Sequence, residues 1–413
     1  MRCRSMLLGS VALLGATCAR AATTEADQAT IEDPFAQCTY SPYAPIAAAN
    51  ATGIYPSVWV PVTKITPSDA AGQAKFASFS ANIPKIAPKG KFGAEAPFDG
   101  FTYSDADPDC WWTRSQCVVP KVAGLNPDIA TVPEPRTLGY GFDDGPNCSH
   151  NAFYDYLTEQ KQKATMFFIG SNVIDWPLQA QRAAVDGHEI CVHTWSHRPM
   201  TTFTNEGAFA ELWYTLQAIK LVTGYTPKCW RPPTGDIDDR IRYIASQLGL
   251  ETVLWKFDSF DYTTTDPAVV QGNYDGLLGN LSAGVFDTVG AIILAHELNN
   301  FTMQMAVENY PRLAAAFDHM VPIAVSQNKS NPYVETNFSM PSFAEYIAAH
   351  PKSDVTNSSS TSSGSGASSG KSSGNSSSIG GAKGTGAAVN LRLRLPTTAA
   401  ALLFVMAGAA VLL

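Results

Sequence analysis

From about Val132 onward, the chain alternates short apolar runs with amphipathic segments at intervals of about 25 to 35 residues. This rhythm constrains the fold more than any other feature, because strand, crossover helix and strand in succession make a parallel sheet or barrel. The runs "TLGYGF", "ATMFFIG", "HEICVH", "KCWRPP", "TVLWKF" and "GAIILAH" read as strands. The clearest helix between them follows Thr204 and Asn205, which offer N-caps. Its residues Phe209, Leu212, Trp213, Leu216 and Ile219 fall on one face at helical spacing and predict a core-facing stripe. Residues 133–350 are long enough for one α/β domain with a full core and show no internal repeat.

In such folds, chemistry gathers at the carboxyl ends of the strands. The residues closing these runs are Asp143 and Asp144 in "GFDDGP", His193 and His197 in "HTWSH", then Arg231, Asp258 and Asp261, and finally His296. Each alone reads equally well as a structural residue, whereas ionisable groups at every strand end together point to a site. Two adjacent carboxylates repel each other and add nothing to folding.

Two imidazoles four residues apart come to one side of a helical turn or compact loop. With one carboxylate they suffice to hold a divalent metal and leave coordination positions open. Gly145 and Pro146 break the strand, so one aspartate can ligate the metal while its neighbour reaches the attacking water as a base. Arg231 is suited to fix that base through paired hydrogen bonds. His296 is suited to donate a proton to a leaving group, with Asp261 or Asp258 orienting it and raising its pKa.

The ends of the chain speak to location. Residues 1–21 read as a secretory signal peptide, with Arg2 and Arg4 before an apolar stretch from Met6 to Ala16 and a small-residue cleavage signal at Ala19-Arg20-Ala21. Residues 22–132 are rich in Pro and Ala without sustained periodicity, so they read as an irregular extension packed on the catalytic domain. Residues 351–388 are a Ser/Gly-rich linker expected to be disordered. Residues 389–413 then form a polar piece and an apolar tail, the pattern of a glycosylphosphatidylinositol (GPI) anchor signal, with lipid attachment expected between Gly380 and Ala388. A single-pass membrane anchor is the competing reading.

Removing Cys3 and Cys18 with the signal leaves Cys38, Cys110, Cys117, Cys148, Cys191 and Cys229, an even set expected to form disulfides in an oxidising compartment. Their pairing is open, although a small loop closed by Cys110 and Cys117 beside Trp111 and Trp112 is expected. Their spacing does not suit a thiolate metal site. Sequons at Asn50, Asn147, Asn280, Asn300, Asn328, Asn337, Asn357 and Asn375 fit a glycosylated surface protein. The formal charge of -8, with 15% charged residues against about 25% in an average domain, leaves no basic field for nucleic acid. No obligate protein partner is evident.

"GFDDGP", "HTWSH", "RPPTGDID", "DSFDY" and "LAH" stand in the order of the motifs of the polysaccharide deacetylases. Over roughly residues 136–330 the chain resembles this family, the NodB-type carbohydrate esterases of family 4 that include the fungal chitin deacetylases. The set is specific, whereas "LAH" alone carries nothing. The resemblance implies an α/β fold, a distorted (β/α) barrel of seven or eight strands. It implies Asp143 as general base, Asp144, His193 and His197 as ligands of one divalent ion, zinc in most relatives with cobalt or manganese as alternatives, and Arg231 as the residue positioning the base.

Asp261 matches the residue tuning the acid, His296 the acid itself, and Leu294 a wall of the acetyl-methyl pocket. The backbone amide of Thr234 matches an oxyanion donor, and Tyr262 a position flanking the sugar subsites. The chain departs from the family pattern at Gly141, Arg198, Thr234 and Tyr262, which removes no charged group but leaves the sugar preference open.

The implied reaction is hydrolysis of N-acetyl groups in cell-wall chitin or partly deacetylated chitosan, giving acetate. The implied setting is the outer face of the plasma membrane, through a GPI lipid, with onward transfer to the wall as a variant. The alternatives are another acetylated glycan, acetylxylan or peptidoglycan, or an inactive glycan-binding wall protein.

Overall fold

The computed structural model describes residues 22–350, so the expected signal peptide, Ser/Gly-rich linker and lipid-attachment signal lie outside the described residues. The described residues form short strands β1 (Thr137–Gly139), β2 (Gly141–Gly145), β3 (Thr165–Phe168), β4 (Glu189–Val192), β5 (Cys229–Trp230), β6 (Glu251–Thr252), β7 (Phe257–Asp258), β8 (Ala291–Leu294) and β9 (His319–Val321). They pair in parallel in the orders β2-β3-β4-β5-β6 and β7-β8-β1-β9. A parallel bridge between Asp143 and His296 joins β2 to the end of β8.

The result is the α/β architecture that the alternating pattern predicts, split like a distorted barrel. Its central strands are apolar on both faces because helices or the barrel interior cover both. Met166, Phe167, Phe168, Ile190, Val192, Ile292 and Ile293 are fully buried.

Two features differ from the sequence reading. "TVLWKF" is not one strand: its first half joins β6, where Val253 bridges Ile129 and Leu254 N donates to Ile129 O (2.9 Å), whereas its end pairs with β8 as β7. The extension takes the ladder partner and bends the run. β9 had no sequence expectation, because three residues are too few to show a period.

The helix Asn205–Thr223 starts at Thr204, whose hydroxyl accepts from Gly207 N, and stops at Gly224 in the left-handed region (φ 82°). Phe209, Leu212, Leu216 and Ile219 are buried. Trp213 is half-buried and donates through Nε1 to Asp69 of the extension (2.7 Å).

The extension has short helices, Ala44–Ala51 and Ala70–Ala77 among them, joined by loops. Its apolar residues Ile46, Val62, Ile65, Phe79 and Ile83 lie in the same buried cluster as Phe142, Ile190 and Trp230 of the strands. Polar pins complete the union. Asp236 accepts from Trp111 Nε1 (2.8 Å), Thr113 Oγ1 (2.7 Å) and Thr201 N (2.7 Å). Lys89 is buried between Asp109 (2.7 Å) and Asp238 (2.6 Å).

Three disulfides form among the described residues. Cys38–Cys148 ties the extension to the loop after β2, Cys110–Cys117 closes the expected small loop, and Cys191–Cys229 joins β4 to β5.

Candidate active site

At the end of β2 the register with β3 shifts between Asp143 and Gly145, and Asp144 takes a left-handed φ of 73°. This irregularity cancels the alternation of a regular strand and lets neighbouring carboxylates share one site. Asn172 Nδ2 donates to the backbone oxygen of Asp144 (2.8 Å) and holds the distortion.

His193 follows β4 directly, and its Nδ1 lies 2.8 Å from Arg231 O. A carbonyl only accepts, so Nδ1 carries the proton and the Nε2 lone pair faces the site. His197 adopts φ 54°, and its N donates to Thr194 Oγ1 (3.2 Å). The loop between the two histidines hangs on buried Glu211, which accepts from Trp195 N (2.9 Å), Ser196 N (2.9 Å), Ser196 Oγ (2.7 Å) and Val62 N of the extension (2.8 Å).

Ligand atoms of Asp144, His193 and His197 all lie within 4.8 Å of one another. Asp144 Oδ1 is 3.1 Å from His197 Nε2 and 3.4 Å from His193 Nε2, yet it is buried without a properly directed hydrogen bond. Three lone-pair donors thus converge on a point between them. A divalent cation satisfies that arrangement, and one carboxylate with two imidazoles suits zinc and its neighbours. Two other clusters contain Cys110 with Cys117 and Cys191 with Cys229, but these are disulfides and offer no thiolate. Burial opposes the Asp144 charge, but the two histidines outweigh it and hold the carboxyl well below its usual range.

Asp143 faces the same point but is tethered elsewhere. Its Oδ1 accepts from Arg231 Nη1 (2.7 Å), and its Oδ2 lies 3.6 Å from His193 Nε2. The expected paired contact is a single hydrogen bond. Among the described residues, Arg231 Nε and Nη2 have no hydrogen-bond partner. The reason is stacking: the guanidinium sits 4.1 Å from the centre of the Phe167 ring and 5.6 Å from that of Trp255, so its plane is set by aromatic faces.

Across the site, His296 Nδ1 lies 2.5 Å from Asp261 Oδ1, and its backbone N donates to Asp261 Oδ2 (3.0 Å). Burial works against charge on this imidazole, but the Asp261 hydrogen bond and the surrounding carboxylates prevail, and its pKa is pushed up to about 9. Of the two aspartates considered, Asp261 is the one that contacts His296. Asp258 instead accepts from Phe260 N (2.8 Å), and burial pushes it up to about 6.

Tyr262 is 48% exposed, with its ring edge-on to that of His296 at 4.8 Å. Leu294 is buried at the end of β8. Thr234 is exposed at the tip of the turn Pro233–Gly235, with φ 56°. Gly235 follows at φ 71°, where a Cβ would lie 2.2 Å from Trp112 of the extension. The structure thus brings Asp143, Asp144, His193, Arg231, Asp261 and His296 together as buried groups with the half-buried His197, while Tyr262 lies exposed against His296 and Thr234 exposed three residues after Arg231.

The polysaccharide deacetylase family matches residues 131–253, from just before β1 to just after β6. Over 351 residues the chain is 46% identical to chitin deacetylase 2 of Cryptococcus neoformans var. grubii, covering 83% of this chain and 75% of the relative. The chain belongs to the polysaccharide deacetylase family. A chitin deacetylase of Amylomyces rouxii is 46% identical over 319 residues, 75% of this chain and 74% of the relative. The solved chitin deacetylase of Colletotrichum lindemuthianum aligns with 20% identity and a TM-score of 0.48 over 51% of this chain and 96% of that chain.

Beyond the motif residues, this deacetylase relies on supports that sequence reasoning missed. Glu211 is a charged residue among the buried positions of an apolar helix, a signal available in the sequence. Asn172 and the Trp112–Gly235 contact leave no comparable sign, because they join segments far apart in the chain.

Proposed function

We propose that the chain hydrolyses the N-acetyl groups of N-acetylglucosamine units in chitin or partly deacetylated chitosan, releasing acetate and leaving a free amine. The observation that carries this reading is the convergence of Asp144 Oδ1, His193 Nε2 and His197 Nε2 beside a carboxylate held back by Arg231. The chitin substrate is supported by the chitin deacetylases that share nearly half of the aligned residues.

Asp144, His193 and His197 would hold one divalent cation, with zinc the first to test and cobalt or manganese next. When bound, such a cation would supply Lewis acidity toward the acetyl carbonyl and toward water. Asp143, fixed by Arg231, takes the proton from the attacking water. The Thr234 backbone N–H donates to the oxyanion that develops as the carbonyl becomes tetrahedral. His296 is protonated through its Asp261 contact and gives its Nε2 proton to the amine nitrogen as the C–N bond breaks. Leu294 walls the acetyl methyl, and Tyr262 flanks the sugar.

The composition of both chain ends supports secretion and GPI anchoring at the outer face of the plasma membrane. The reaction is tested by measuring acetate from N-acetylglucosamine oligomers and graded chitosans, with and without a chelator. Release should vanish on chelation and fall by about 10² to 10⁴ in Asp143→Asn. Undiminished release from Asp143→Asn would overturn the mechanism, and release from acetylxylan alone would overturn the substrate.

A further inference from the structure

The segment of the extension around Trp59 is fastened at successive points to the elements that carry the cation ligands. Ser57 O accepts from Trp195 Nε1 (3.0 Å), Trp59 N donates to Ser171 Oγ (2.7 Å), and Val62 N donates to Glu211 (2.8 Å). Tyr55 stacks on Trp195 with ring centres 5.8 Å apart. Every one of these fastenings leads to the metal-site framework. Trp195 lies between His193 and His197, Glu211 holds that loop, and Asn172, next to Ser171, holds the backbone of Asp144.

Trp59 itself is held in a left-handed conformation, φ 63°, which a bulky side chain rarely adopts. Its Nε1 donates to Asp175 (3.0 Å), which fixes the plane of the indole. Despite this anchoring, the side chain stays out of the core, and the residue is 43% exposed. Isolated exposed aromatics are common and mean little. An indole held at a left-handed φ, hydrogen-bonded through its ring nitrogen and still 43% exposed, on a segment tied to the framework of the cation ligands, is a different case. A fixed ring loses almost no freedom when a ligand lies on it, which is the condition for an efficient stacking surface. Tyr262 and Phe260, 48% and 44% exposed, stand on the loop that carries Asp261.

We propose that Trp59 is a sugar-stacking platform contributed by the N-terminal extension, binding the apolar face of a pyranose in the same polysaccharide chain at a unit beyond the reacting one. The inference rests on the proposed glycan substrate and adds to it a preference for longer chains. Activity on N-acetylglucosamine oligomers from the disaccharide to the hexasaccharide tests it, together with calorimetric binding of the hexasaccharide in an Asp143→Asn background.

Trp59→Ala should raise KM and weaken binding of the hexasaccharide about tenfold, with kcat and disaccharide kinetics little changed. Trp59→Phe keeps a face but loses the Asp175 hydrogen bond, and it should recover most of the affinity. Equal losses at every chain length, no loss at any length, or a Phe variant as weak as the Ala variant would overturn the platform. A parent chain that binds the hexasaccharide in a Trp59-dependent way yet releases no acetate would sink the proposed reaction and leave the platform standing. A parent chain that binds no oligomer overturns the platform.

Discussion

Asp143 and Asp144 are consecutive and chemically identical, yet only one has a hydrogen-bonded cation beside it. Arg231 holds Asp143 at 2.7 Å, whereas Asp144 Oδ1 is buried without a hydrogen bond, 3.1 and 3.4 Å from two imidazole nitrogens. Replacing Asp144 by Asn should therefore abolish cation binding, read by metal analysis of the purified protein, whereas Asp143→Asn should keep its metal. The proposed proton donor makes a second prediction. His296 is held protonated up to about pH 9, so turnover should fall as the pH rises through that value. Asp261→Asn removes the contact that raises the pKa and leaves burial, which lowers it, so the alkaline limb of the kcat profile should move to lower pH.

Between residue and fold, the deciding elements are loops whose shape is imposed from outside. The turn Pro233–Gly235 is braced by Trp112, and Gly235 has neither room nor a suitable φ for a side chain. Gly235→Ala should cost about 2 to 4 kcal/mol in urea unfolding and lower kcat by displacing the Thr234 amide. This contrast explains what could be read in advance. Strand ends were legible because ionisable residues interrupt apolar runs, and the helix Asn205–Thr223 because its stripe and caps are local. The bent "TVLWKF" run, the single-bonded Arg231 and the Trp112 brace were not. Each depends on a partner distant in sequence: Ile129, the Phe167 and Trp255 faces, and Gly235. Periodicity reports which face of an element is apolar and says nothing about which distant segment covers it.

At the scale of the molecule, the extension and the barrel share one interior, with Val62, Phe79 and Ile83 buried in the same cluster as the strands. The Cys38–Cys148 bridge closes a loop with a sequence separation of 110, for which chain entropy gives about 4 to 5 kcal/mol. Replacing both cysteines by Ser should lower the unfolding free energy by about 2 to 5 kcal/mol while leaving the cation ligands in place, measured by denaturant titration. The shared interior also sets the order of events during synthesis. Val62 waits for Glu211 and Lys89 for Asp238, each 149 positions later, so the first third of the protein leaves the ribosome with its partners not yet made. Until the helix Asn205–Thr223 arrives, Val62 and Phe79 lack the partners they meet in the finished fold, and the unfinished polypeptide carries apolar surface that favours association with its own kind.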